Sequence, residues 1–193
     1  MTLDELGHKY GTDKASGSHA YLDWYETFFQ PIRYKSITFV EIGVASGASI
    51  HTWRDYFPNA LIVGMDIEDK TEFVEERVRI SHGDQGDPIA LDEMLSICNG
   101  APKVINDDAG HEPDAQLFSY KYLIPKLSPG GLYILEDIGS EEVTRFLMQV
   151  AFRVIHGNSN DDNDEWIKSN GDRIETVNFY RESVVTKLKG DIV

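Results

Sequence analysis

The sequence predicts a doubly wound α/β fold built on a mostly parallel sheet, and three observations carry that expectation. Short apolar runs that read as buried strands alternate with segments of helical spacing from residue 37 to about residue 150. The stretch FVEIGVASGAS (Phe39 to Ser49) passes from a strand through a glycine turn straight into a helix. The final run ETVNFYRESVVTKL breaks the alternation. It reads as two short strands around Arg181–Ser183, an antiparallel pair closing the sheet.

The elements follow in order. Thr2 and Glu5 have capping-box spacing, so a first helix starts there. KYGTDKASGS is a loop, and Ser18 is expected to cap a second helix through HAYLDWYETFF, with Tyr21, Tyr25, Phe28 and Phe29 on one face. ITFVEI (37–42), LIVGMD (61–66), RVRISHGD (77–84), KVINDD (103–108) and LYILEDI (132–138) are strands. Between them, ASIHTWRDYF is a helix turning Ile50, Trp53 and Phe57 inward. Asp87 and Pro88 open another through Met94 and Cys98. A further helix runs from about Pro113 to Ile124, where Pro125 stops it. Ser140, with Glu141 and Glu142 behind it, opens a helix burying Val143, Phe146, Leu147 and Val150. FRVIHG is expected to be one more strand, and NSNDDNDEWIKSNGD a polar loop whose Trp166 belongs to a mobile lid.

A chain of 193 residues suits one domain with its own core. Lys+Arg total 18 against 33 Asp+Glu, a net charge of −15 that disfavours nucleic acid and anionic lipid as partners. A single cysteine, Cys98, rules out an intrachain disulfide and fits a reducing compartment. The N-terminus lacks a basic segment followed by an apolar one, and no apolar run approaches the roughly 20 residues that span a bilayer. The expected location is cytoplasmic.

Ligands of such sheets bind at the carboxyl ends of the strands. A pyrophosphate cradle wants G-x-G-x-x-G there, whereas this turn offers Gly43, Ala45 and Gly47 behind the acid Glu41. An acid is wrong beside a phosphate and right beside a cationic ligand with an amino-acid head and a nucleoside tail. Asp66 ends the second strand, placed to accept hydrogen bonds from ribose hydroxyls, and Ile67 follows to pack on an adenine face. Asp84 and Gln85 end the third strand, positioned for the adenine edge.

EIGVASG resembles motif I of class I S-adenosylmethionine-dependent methyltransferases, usually E/D-x-G-x-G-x-G, with Ala45 replacing the middle glycine. YGTDK, GDQ, DDAGH, SPGGLYILED and FYRESVV together resemble a narrower group, the metal-dependent sugar O-methyltransferases of macrolide tailoring (the mycinamicin type), over about residues 6–187. The resemblance implies a Rossmann-like, seven-stranded sheet with an antiparallel final hairpin. Residues 1–36 would form a helical cap over the cofactor site, and 37–193 the methyltransferase domain, as one structural unit. It also implies that Thr12 or Lys14, in the YGTDK loop, meets the methionine carboxylate.

A sugar hydroxyl loses its proton far above pH 7, so methyl transfer to it needs a base and stabilisation of the alkoxide. Asp107–Asp108 and Glu136–Asp137 end neighbouring strands, about 5 Å apart, where several carboxylates repel without a cation between them. The alternative is that these acids cap helix N-termini. The resemblance implies that Asp108, Glu136 and Asp137 bind Mg²⁺ and that His111 is the general base, although DDAGH departs from the family's DDGSH. Trp24, Tyr21 and Tyr25 either line an acceptor pocket or belong to the core.

The expected activity is therefore transfer of a methyl group from S-adenosylmethionine to a hydroxyl of a glycosylated, polyketide-like small molecule. The rivals are an NAD(P)-dependent oxidoreductase on the same layered fold and a degenerate, non-catalytic cofactor-binding protein. The acceptor, O- against N-methylation, and assembly into a homo-oligomer sharing acceptor contacts are left open by the sequence.

Overall fold

The computed structural model describes residues 1–157 and 164–190. Among them are the strands β1 (Thr38–Ile42), β2 (Leu61–Asp66), β3 (Val78–His82), β4 (Val104–Asp107), β5 (Leu132–Leu135), β6 (Ile174–Tyr180) and β7 (Ser183–Leu188). They form one seven-stranded sheet in the order β3-β2-β1-β4-β5-β7-β6. β1 to β5 pair in parallel, while β7 lies antiparallel to both β5 and β6. The order reverses direction between β1 and β4, the switch point at which such sheets open a ligand crevice.

The helices are α1 (Leu3–Tyr10), α2 (Tyr21–Phe29), α3 (Ala48–Tyr56), α4 (Pro88–Ser96), α5 (Pro113–Leu123), α6 (Glu141–His156) and α7 (Glu165–Asn170). Their starts follow local chemistry. The Thr2 hydroxyl accepts the Glu5 amide while the Glu5 carboxylate accepts the Thr2 amide. Asp87 and Ser140 accept the amides of Ile89 and Glu142. Every residue of β1 is buried, because alternate side chains enter different cores. Phe39 joins Trp53, Phe29, Ile62, Ile134 and Val185 beneath α1 to α3. Val40 joins Val63, Ile105, Tyr133, Phe146 and Val150 beneath α4 to α7. No helix among the described residues is long and apolar enough to cross a membrane.

Several expectations need correction. Ser18 caps nothing: α2 begins at Tyr21 behind Ala20, which takes φ 57° without a side-chain cap. α4 ends at Ser96, before Cys98. FRVIHG is not a strand but the last turns of α6, which extends the stripe Val143, Phe146, Leu147, Val150 to the buried Arg153 and stops at Gly157 with φ 71°. β5 ends at Leu135, three residues early. Of the polar segment after Gly157, residues 158–163 lie outside the described residues. The rest is α7, whose cap Asp164 accepts the amides of Trp166 and Ile167. Trp166 is no lid: its ring packs on Tyr120 and Phe146, and its Nε1 donates to the Lys121 carbonyl at 2.8 Å.

Candidate active site

The turn after β1 uses three left-handed residues in five, Gly43 (φ 95°), Ala45 (φ 45°) and Gly47 (φ 77°). At Gly43 a side chain is excluded twice over, since a Cβ would stand 2.1 Å from the Asp108 carbonyl oxygen. The glycine thus lets the turn pass under the loop after β4. Asp66 holds the turn from the other side: one carboxylate oxygen accepts the amides of Val44 and Ala45, each at 2.9 Å. The other oxygen accepts the Glu68 amide at 2.9 Å. Burial opposes the charge on Asp66, but these three amides outweigh it and hold its pKa below the usual carboxylate range.

Two cavities flank the turn. The larger, about 460 Å³, is bounded by Gly43, Ala45, Asp66, Ile67, Asp84 and Gln85, with the loop Asp108 to Gly110 as its far wall. Ile67 stands 67% exposed at its mouth. Gln85 is buried, and its amide clamps that far wall, donating to the Gly110 carbonyl at 3.1 Å and accepting the Gly110 amide. The smaller cavity, about 220 Å³, lies across the turn between Thr12, Lys14, Ala45 and Ser49. Of the cofactor residues named from sequence, only Glu41 and Gly47 border neither cavity. The Gly47 Cα faces the Phe73 ring. Glu41 is fully buried and accepts from the Ser49 hydroxyl at 2.7 Å and the Asn106 amide at 3.4 Å. Burial lifts its pKa to about 7 against the opposing pull of Lys14 and of the hydrogen bond from Ser49.

Lys14 sits where the sequence asked for a cation. Its side chain is 3% exposed, and its ammonium donates to Asp108 and, at 2.8 Å, to Glu136. Glu136, 1% exposed, also accepts from the Tyr25 hydroxyl and from the Asn106 side chain at 2.8 Å. Three acids, Glu41, Asp108 and Glu136, therefore crowd around one ammonium. Burial and the charge of Glu136 hold the Asp108 pKa above its ordinary range, with Lys14 pulling the other way.

Glu136 and its neighbour point to different places. With β5 ended, Asp137 adopts φ 52°, a left-handed conformation that aspartate tolerates better than most residues. Its carboxylate accepts the Tyr21 hydroxyl at 2.9 Å and faces His111 Nε2 at 3.7 Å. One ligand atom each from Asp108, His111 and Asp137 lies within 4.8 Å of the others. Thus Asp108, His111 and Asp137 meet, while the Glu136 carboxylate is held by Lys14, Tyr25 and Asn106.

Four further residues complete this site. Tyr21 and Tyr25, expected either in an acceptor pocket or in the core, are both core and site, burying their rings while their hydroxyls reach Asp137 and Glu136. Tyrosine rather than phenylalanine at both positions, one turn apart, was the available signal. Asn106 bridges Glu41 and Glu136 from within β4, and the buried Gln116 donates to the Glu136 carbonyl at 2.9 Å. Asp107, adjoining Asp108, points into the opposite core, where it accepts from Ser119 and Tyr133 and burial lifts its pKa to about 6 against those two bonds.

No family model matches the chain. It is 37% identical over 143 residues to an 8-demethyl-8-alpha-L-rhamnosyl tetracenomycin-C 2'-O-methyltransferase of Streptomyces olivaceus, a match covering 70% of this chain and 37% of that protein. A demethylmacrocin O-methyltransferase of Streptomyces fradiae is 34% identical, over 70% of this chain and 36% of its own length. The chain is homologous to the macrolide sugar O-methyltransferases. Among solved structures, the MycE methyltransferase of the mycinamycin biosynthetic pathway, in complex with Mg and SAH, superposes with a TM-score of 0.86 at 25% identity. That match covers 98% of this chain and 54% of MycE. The seven-stranded methyltransferase fold expected from the sequence is therefore the one present, and the matched 143 residues span little more than a third of the length of these two O-methyltransferase relatives.

Proposed function

We propose that this protein transfers the methyl group of S-adenosylmethionine to a sugar hydroxyl of a glycosylated, polyketide-like acceptor. The single observation that carries the proposal is the convergence of Asp108, His111 and Asp137 beside a cavity of about 460 Å³ whose other walls are the glycine turn, Asp66 and Gln85. The name of the Streptomyces olivaceus relative points to the same acceptor class, since it is the 2'-O-methyltransferase of a rhamnosyl tetracenomycin.

The larger cavity suits a nucleoside: beyond its three amide bonds Asp66 keeps one lone-pair site, on the oxygen that accepts from Glu68, for a ribose hydroxyl, and Ile67 offers an apolar face. The donor set also fits a hard divalent cation, because the carboxylates around Lys14 outnumber the positive charge available to them. Asp108 and Asp137 would hold it, leaving the softer imidazole of His111 for proton transfer. Bound there, Mg²⁺ would supply Lewis-acid polarisation of the hydroxyl. His111, nearly half exposed between the cavity-lining residues Gly110 and Glu112, takes the hydroxyl proton as the methyl moves. Asp137 orients the imidazole and stabilises its protonated form, and Tyr21 fixes Asp137. Residues 1–36 act as a cap that closes this end of the sheet over the cofactor.

The test is a methyl-transfer assay with S-adenosylmethionine and glycosylated macrolide acceptors, run on the wild type and His111→Ala. The variant is expected to lose about 10²- to 10⁴-fold in kcat while binding the cofactor as before. Failure of the wild type to bind S-adenosylmethionine would overturn the proposal.

A further inference from the structure

Lys14 and the candidate cation site share one carboxylate, Asp108. Asp108 belongs to both sets, accepting from the Lys14 ammonium and converging with His111 and Asp137. An ammonium that shares a carboxylate with a dication is repelled by it, the more so where burial leaves little water to screen the two. Lys14 also has somewhere to go. It borders the cavity of about 220 Å³, which is also lined by Ala48 and Ser49 at the first turn of α3, a helix N-terminus that favours negative charge. The connector carrying it, between α1 and α2, has left-handed residues at Gly11, Gly17 and Ala20, and a Cβ added at either glycine would meet nothing within 4 Å.

We infer that Lys14 is an exchangeable counter-cation: it occupies the Asp108–Glu136 pair in the resting protein, leaves when a divalent cation arrives, and then presents its ammonium to the cofactor's carboxylate in the smaller cavity. The inference rests on the function proposed above. It gives Glu136 a second state, since departure of Lys14 frees the oxygen that now accepts from it. It also makes the two ligands cooperative. The cation releases the group that the cofactor needs, so each tightens the binding of the other by the same factor.

The test is calorimetric titration of the wild type and Lys14→Met with Mg²⁺, with S-adenosylhomocysteine, and with each in the presence of the other. In the wild type, each ligand is expected to tighten the other at least fivefold. In Lys14→Met, Mg²⁺ alone should bind at least fivefold tighter than in the wild type, and the mutual effect should fall below twofold. A variant that binds Mg²⁺ no tighter, or that keeps the full mutual effect, overturns the inference. A wild type that binds neither ligand overturns the proposed function itself. Because Lys14→Met removes a buried ion-pair partner and could unfold, amide exchange of residues 11–18 in the wild type provides a second measure. Exchange should quicken with Mg²⁺ alone and slow again once S-adenosylhomocysteine is added; no response to Mg²⁺ overturns the inference.

Discussion

The rings of Trp24 and Tyr180 lie face to face, centroids 4.0 Å apart and planes 5° from parallel. This contact ties α2, near the start of the chain, to the last residue of β6. Trp24→Ala is therefore expected to cost about 2 kcal/mol in urea denaturation, below the range for a fully buried aromatic because Trp24 is only partly covered. Amide exchange should quicken at α2 and β6 together. Loosening confined to α2 would show that the stack does not join them.

Gly43 and Gly11 share a left-handed backbone and differ in surroundings. A Cβ at Gly11 would meet nothing within 4 Å, whereas at Gly43 it would strike the Asp108 carbonyl. Gly11→Ala should cost about 1 kcal/mol, the strain of the conformation alone. Gly43→Ala should cost about 3 kcal/mol or more, because the loop after β4 must move as well. Equal losses in thermal unfolding would mean that conformation, not close approach, dictates Gly43.

Asp55 anchors α1 to α3 by accepting from the Tyr10 hydroxyl and, at 3.0 Å, from Lys9, with Arg54 beside it. Burial opposes its charge, but those three partners prevail and bring its pKa down to about 2. A carboxylate with a depressed folded pKa stabilises the fold above its unfolded pKa, near 4, and loses that contribution as pH falls toward 2. Asp55→Asn should thus cost about 1 kcal/mol at pH 7, after allowance for solvent screening. The gap from wild type should shrink to about half by pH 3. A gap that stays constant across that range would assign the effect to shape, not charge.

Burial pushes the Cys98 thiol up to about 11, with Arg79 pulling only weakly the other way. At pH 8 its thiolate fraction is then about 100-fold below that of an ordinary thiol. Iodoacetamide labelling should be slow in the native protein and fast in urea, with the native rate rising steeply as pH approaches 11. Rapid native labelling at pH 8 would show that the segment after α4 opens readily.

Much of this was legible in the sequence because it is local. Asp87–Pro88, Ser140 and the Thr2–Glu5 pair mark helix starts through bonds made within a turn, and β2 announces itself through the apolar run Leu61 to Met65. What the sequence hid depends on distance along the chain. Whether Val154 and Ile155 sit in a strand or a helix is decided by the core stripe begun at Val143, which carries α6 onward to Gly157. Trp166 reads as exposed among polar neighbours until Tyr120 and Phe146 supply its pocket. Lys14 reaches acids 94 and 122 residues away, and no pattern around it announces either. The expectation of a cation among strand-end acids was a statement about charge balance, which a lysine satisfies as lawfully as a metal.

The early end of β5 makes two adjacent acids do unlike work. While a strand continues, consecutive side chains face opposite sides at fixed spacing; once it stops, the next residue is free to turn. Glu136 stays in the sheet's register, beneath Lys14, while Asp137 is swung out toward His111. The dipeptide is thus sensitive to phase. A single residue inserted between Leu135 and Glu136 would carry both acids one step along, sending the first outward and the second past the rim. Changes of length are least tolerable here, at a point where changes of side chain could still be repaired.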